Sequence, residues 1–175
     1  MGYQIKMDQA FENYLSLSNE LLSDGEYILN IESDDISWKR NFIRTVVSII
    51  EGYSHCFRQI TVIGVEIGAG NLTKKEIDVL YNEEKYSLCE RIKLTLKGIY
   101  KIVGIKPLPN FGTEEWRRAM KALEKRNSLT HPKSIVDLEI SENTWDPIRT
   151  GLTWLFEQHS TLMKSIYERH KEKIS

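Results

Sequence analysis

The sequence predicts an all-α fold, an antiparallel bundle of about five main helices. Three observations predict it. Apolar residues recur at intervals of three and four along most of the chain, the spacing that lines one face of a helix. Ser, Thr or Asp stands ahead of most of these runs, where a side-chain oxygen can cap the first turn. Strand-like alternation is nearly absent, with residues 135–140 the only candidate.

The elements follow in order. A first helix is expected over residues 7–22, with Met7, Phe11, Tyr14, Leu15, Leu21 and Leu22 on its apolar side and Asp24-Gly25 ending it. Asp34 or Asp35 then caps a long helix running to about Gly64. Its stripe is Trp38, Phe42, Val46, Ile49, Ile50, Tyr53, Phe57 and Ile60. Gly64, Gly68 and Gly70 read as a breaker, because a phosphate-cradling glycine loop would follow a strand rather than a helix. Thr73 caps a short helix reaching Asn82, and the next, over residues 85–103, buries Cys89, Ile92, Leu96, Ile99 and Val103. Pro107 and Pro109 mark a loop. Thr113 opens a helix that carries Trp116, Met120 and Leu123 inward and brings Arg126 near its end. After a connector over residues 132–140, Ser141 caps a last long helix whose stripe runs from Trp145 through His159 to Tyr167.

Length and composition narrow the class. A chain of 175 residues, 41% hydrophobic and 28% charged, is expected to form one domain. Residues 1–33 would be its N-terminal helix and linker, and 34–175 its core bundle. The net charge of −1 means that any nucleic-acid site has to be a local patch. Cys56 and Cys89 lack metal-type spacing and read as reduced, buried or half-buried thiols. The first residues lack the apolar stretch of a secretory leader, and Lys6 stands where a myristoylated Gly2 would want Ser or Thr. The most apolar segment, residues 60–70, is too short for a membrane span and contains Glu66. A cytoplasmic protein with no membrane partner, no cofactor and no metal is expected. Neither a nucleophile elbow, an HExxH pair nor a carboxylate cluster suited to two metals is present.

The chemistry concentrates in Arg126-Asn127-Ser128-Leu129-Thr130-His131. Arg presents a permanently charged fork of donors shaped for phosphate oxygens. His takes or gives a proton near neutral pH. Pro132 biases His131 out of the helical region, so the helix should stop near Thr130 and leave the imidazole free to turn towards the guanidinium. A helix C-terminus also favours cations. Between Arg117 and Lys133 lie Arg117, Arg118, Lys121, Lys125, Arg126 and Lys133 against the single acid Glu124, a patch that would attract phosphates. Asn127, Lys125, Lys133 and Arg118 are the candidate RNA- and phosphate-binding residues beside the catalytic candidates Arg126 and His131. The bland alternative is a surface Arg at a helix end and a turn His before a proline. Glu51 shares a helix face with His55 and pairs with it structurally, or else faces Arg126 and orients it. His159 reads as a hydrogen-bonded core residue and His170 as a solvated one near the chain end.

An Arg, a polar neighbour and a His five positions after the Arg, at the end of an internal helix in a small helical chain, resemble the signature of the HEPN superfamily. The resemblance extends from about Trp38 to the C-terminus, and its specific part is these six residues. It implies a HEPN-like bundle that forms a homodimer, with two copies of Arg126 and His131 lining a composite site. It further implies a metal-independent endoribonuclease whose RNA substrate supplies its own 2′-hydroxyl as nucleophile. Such proteins serve as toxins or phage-defence effectors, so an antitoxin or regulatory protein is an implied partner. The alternative within the same resemblance is a non-catalytic module that binds RNA, a nucleotide or a protein.

Overall fold

The computed structural model describes residues 2–174, apart from the side chains of residue 4 and of residues 169–174, so the expectation for His170 lies outside the described residues. Among the described residues six α-helices form: α1 (Gly2–Asn30), α2 (Ile36–Glu66), α3 (Lys74–Tyr81), α4 (Leu88–Ile102), α5 (Glu114–Thr130) and α6 (Glu142–Ile174). Short 3-10 turns occupy Glu83–Lys85 and Ile135–Leu138. Among the described residues there is no strand, and the fold is all-α.

The chain divides into two compact units. The first comprises Met1–Leu17, Tyr53–Pro109 and Glu157–Ser175, and the second Ser18–Gly52 and Asn110–Phe156. In the first unit the core is built from Tyr53, Phe57 and Ile60 of α2, Ile92, Leu96 and Ile99 of α4, and Leu162 of α6, all buried. Tyr14 of α1 stacks on Phe57 at 5.4 Å between ring centroids. His159 is fully buried there, its Nε2 3.3 Å from the Ser54 hydroxyl and its ring stacked on Phe57. That agrees with a core histidine. Gly64 lies inside α2 rather than ending it, because a Cβ there would come within 2.5 Å of Ile102. The turn is made instead by Gly68 and Gly70, both with φ of +72°. Thr73 and Glu76 form a capping box on α3, and Lys101 donates to the buried Glu76 carboxylate at 2.7 Å. Burial alone would raise the Glu76 pKa, but the bonds from Lys101 and Thr73 outweigh it and hold the carboxyl below its ordinary value.

In the second unit, Asp35 caps α2 by accepting from the Ser37 and Trp38 amides. Trp38, Phe42 and Trp145 form an aromatic cluster with centroids 5.3–5.6 Å apart. Lys39, beside it, is 1% exposed. Its amine donates to Glu142 at 2.6 Å and so ties the start of α6 to α2. One expectation changes here. Helix α1 continues through Asp24-Gly25 to Asn30, because Gly25 is buried where a Cβ would sit 3.1 Å from Ile49 and 3.3 Å from Thr45. The absent side chain admits the neighbouring helix, and that packing offsets the helix-breaking tendency of glycine. Residues 135–140 form no strand: Asp137 caps the turn Ile135–Leu138 from within, its carboxylate taking the Ser134 amide.

Helices α5 and α6 come close together at Gly151, where a Cβ would lie 2.3 Å from the Ala119 amide nitrogen and 2.4 Å from the Arg118 carbonyl carbon. Backbone atoms inside a helix cannot step aside, so Gly151→Ala is expected to cost upwards of about 2 kcal/mol. Gly25→Ala meets only side-chain ends and should stay within about 1 kcal/mol of wild type. Urea midpoints of the two variants test this contrast, and equal midpoints would contradict it.

Candidate functional site

Helix α5 positions the motif. Thr113 caps its start by accepting from the Trp116 amide at 3.4 Å, and Phe111 packs edge-on against Trp116 with centroids 4.9 Å apart. Trp116, Ala119, Ala122, Leu123 and Leu129 are its buried face. Arg126 lies three residues from both Leu123 and Leu129 and therefore shares that face. Its side chain is 22% exposed. One guanidinium nitrogen, Nη2, donates to Glu51 of α2 in a short ion pair, and Nη1 donates to the Asn127 side-chain oxygen at 3.3 Å. Glu51 is 28% exposed, so this pair borders solvent.

The helix ends where the proline rule says. The His131 amide bonds to the Asn127 carbonyl at 3.0 Å, and His131 then leaves the helical region with φ −127° and ψ 61°. Its ring is exposed and has no hydrogen-bond partner among the described residues. Arg126, Asn127 and Glu51 are thus joined by hydrogen bonds, and His131 stands at the helix terminus one turn further on. Glu51 is partnered by Arg126, while the exposed His55 ring meets the Gln59 amide at 3.0 Å; the Glu51–His55 pairing is not formed.

The basic run is less bare than its composition suggests. Arg117 and Arg118 both pair with Glu114, at 2.8 and 3.5 Å, an acid just outside the counted window. Lys125 donates to the Asp137 carbonyl at 2.9 Å. With Lys121 and Ser128 it also lines a groove of 390 Å³ against Asn143 and Thr144 of α6. Lys133 is exposed, and its amide donates to Asp137. Among the described residues, no three His, Cys, Asp or Glu side chains converge as metal ligands. No helix there is long and apolar enough to cross a membrane. Cys56 is buried, which pushes its thiol pKa up, and Cys89 is half-buried; neither forms a disulfide among the described residues.

No family model, curated protein or solved structure matches the chain.

Three residues around the motif escaped the sequence reading. Arg44 Nη2 donates to the Leu129 carbonyl at 2.6 Å, and Arg40 Nε to the Leu138 carbonyl at 2.7 Å. Asp137 accepts from the Lys133 and Ser134 amides at 2.8 and 2.9 Å. The spacing Ser134-x-x-Asp137 was a visible cap signal. The two arginines, four apart and off the apolar stripe of α2, carried only a weak one.

The amides of Lys133 and Ser134 hold the Asp137 carboxyl below its ordinary value. A depressed pKa means that this ordering is complete above the usual Asp range, near about 3.9, and is lost as pH falls through the lower folded value. Asp137→Ala should therefore shift the Lys133 and Ser134 amide resonances upfield at neutral pH. Wild type should show that shift only on acidification. Unmoved resonances in the variant would refute this role of Asp137.

Proposed function

We propose that this chain is a HEPN-like, metal-independent endoribonuclease with Arg126 and His131 as its catalytic residues. The observation that carries the reading is the arrangement at the end of α5. A guanidinium is held at the solvent boundary by Glu51 and Asn127, and an exposed imidazole follows at the helix terminus. In the reaction the 2′-hydroxyl oxygen bonds to the adjacent phosphorus as the bond from phosphorus to the 5′-oxygen breaks. A base takes the 2′ proton and an acid protonates the leaving 5′-oxygen. The products are a 2′,3′-cyclic phosphate and a 5′-hydroxyl. His131 performs one of the proton transfers. Arg126 stabilises charge growing on the equatorial oxygens through the donors that Glu51 and Asn127 leave free.

One histidine cannot serve as base and acid in the same step, so the reading includes a homodimer whose two-fold axis brings a second Arg126 and His131 to the same strand. Ile135 and Val136, 71% and 63% exposed just after the motif, offer apolar surface for such a contact. Asn127, Lys125, Lys133 and Arg118 are the residues proposed to guide the RNA. By the same resemblance the protein acts in the cytoplasm as a toxin or phage-defence effector under an antitoxin or other regulatory partner. One observation favours a second reading, a non-catalytic module binding RNA, a nucleotide or a protein. Glu51 neutralises Arg126, and Glu114 neutralises part of the basic run.

Wild type assayed beside His131→Ala in excess EDTA separates the two. The nuclease reading expects cleavage by wild type and a loss of about 10²–10⁴ in rate for the variant. A folded His131→Ala protein that cleaves as fast as wild type, or a wild type that only binds, would overturn it.

Arg126→Lys should lose nearly as much as Arg126→Ala, because an ammonium cannot engage Glu51 and two phosphate oxygens in one plane. Single-turnover rates test this. A near wild-type rate for the lysine variant would reduce Arg126 to an attractor of phosphate.

A further inference from the structure

We propose that Arg44, together with Arg40, is a positioning residue for His131: the two guanidiniums hold by main-chain carbonyls both ends of the segment that carries the imidazole. The last four carbonyls of any helix lack a donor from within it. Leu129 has one of these in α5, and Arg44 fills the vacancy at 2.6 Å, two residues before His131. It brings a positive charge to the negative end of the helix at the same time. One turn earlier on α2, Arg40 binds the Leu138 carbonyl at 2.7 Å, downstream of His131. Lys125 holds the neighbouring Asp137 carbonyl at 2.9 Å. Both arginines are half-buried. Arg44 also donates to the Asn41 side chain at 3.3 Å.

The consequence follows from what an exposed helix end does on its own. Its final turn frays, and a catalytic group carried there samples many positions. Reaction rates fall steeply when such a group is displaced by as little as about 1 Å. Arg40 and Arg44 project from consecutive turns of one long helix, so they present two donors at a fixed spacing. The bracket leaves the imidazole itself untouched and exposed while the backbone on either side is tied. These two basic residues differ from Arg126 in that each ties a main-chain carbonyl of this segment.

The kinetic part of this inference rests on the ribonuclease reading; the bracket itself does not. Arg44→Met keeps length and apolar bulk but removes every donor. Arg44→Lys keeps a single donor, which is all that one carbonyl requires. Three quantities are read: kcat and KM separately, and hydrogen exchange of the Thr130 and His131 amides against core amides such as Val46 and Leu123. Arg44→Met should lower kcat about 10- to 100-fold with KM little changed. It should speed exchange at residues 130 and 131 by about tenfold or more and leave the core amides alone. Arg44→Lys should restore most of both, the opposite of what a lysine does at position 126. Unchanged exchange at 130 and 131 in Arg44→Met overturns the inference. So does a salt-sensitive rise in KM at constant kcat, which would make Arg44 a phosphate contact. If wild type cleaves no RNA, the ribonuclease reading fails by itself, and the exchange measurement still decides whether the bracket exists.

Discussion

The close crossing of α5 and α6 at Ala119 and Gly151 is the constraint on which the motif depends. Only glycine fits at 151, since any Cβ would enter the backbone of α5. Small residues at 119 and 122 let the helix lie close, and Leu123 and Leu129 are then fully buried. That fixes the rotation of α5 about its own axis. A residue midway between two buried leucines lies on the same face of the helix, and Arg126 is that residue. Its partial burial, and hence its reach to Glu51, is a consequence of packing laid down within two turns of it.

Electrostatics then set how the end of the helix behaves. A half-buried guanidinium is stable because a carboxylate meets it. With Glu51 on one nitrogen and Asn127 on another, the plane of the fork is fixed before any anion arrives, while the rest of its five donors stay open. The orientation is obtained at the expense of some attraction, since Glu51 cancels charge that a phosphate would otherwise feel. Arg44 and Arg40 solve a different problem with the same side-chain type, by tying main-chain carbonyls around His131. Three half-buried arginines around one histidine-bearing segment thus divide into one held by side chains and two that tie main-chain carbonyls, a distinction set by their partners.

Much of the fold was legible because helix signals are local. The cap at Thr73, the stripe from Trp38 to Ile60 and the stop before Pro132 each depend on residues within a turn or two of one another. The failures were at glycines. Gly25 and Gly64 read as breakers, yet they sit inside helices, because what they provide is space for Ile49 and Ile102 on other helices. Nothing in the neighbouring sequence announces those contacts. The six-residue motif was legible by spacing and by the proline after it. The acid that pairs with Arg117 and Arg118 is Glu114, one turn ahead of the basic run, so the run looks barer by composition than it is. Arg44 was missed because a side chain bonding a carbonyl 85 residues away leaves no local trace.

The central claim is chemical: the motif cleaves RNA by using the 2′-hydroxyl beside the broken bond. It is tested most directly by identifying the ends of an RNA cut by wild-type protein in excess EDTA, alongside the same RNA with a single 2′-deoxy substitution at the cut position. The account predicts a 2′,3′-cyclic phosphate and a 5′-hydroxyl, and no cutting at the deoxy position. A 3′-hydroxyl with a 5′-phosphate, or undiminished cutting of the deoxy substrate, would contradict it.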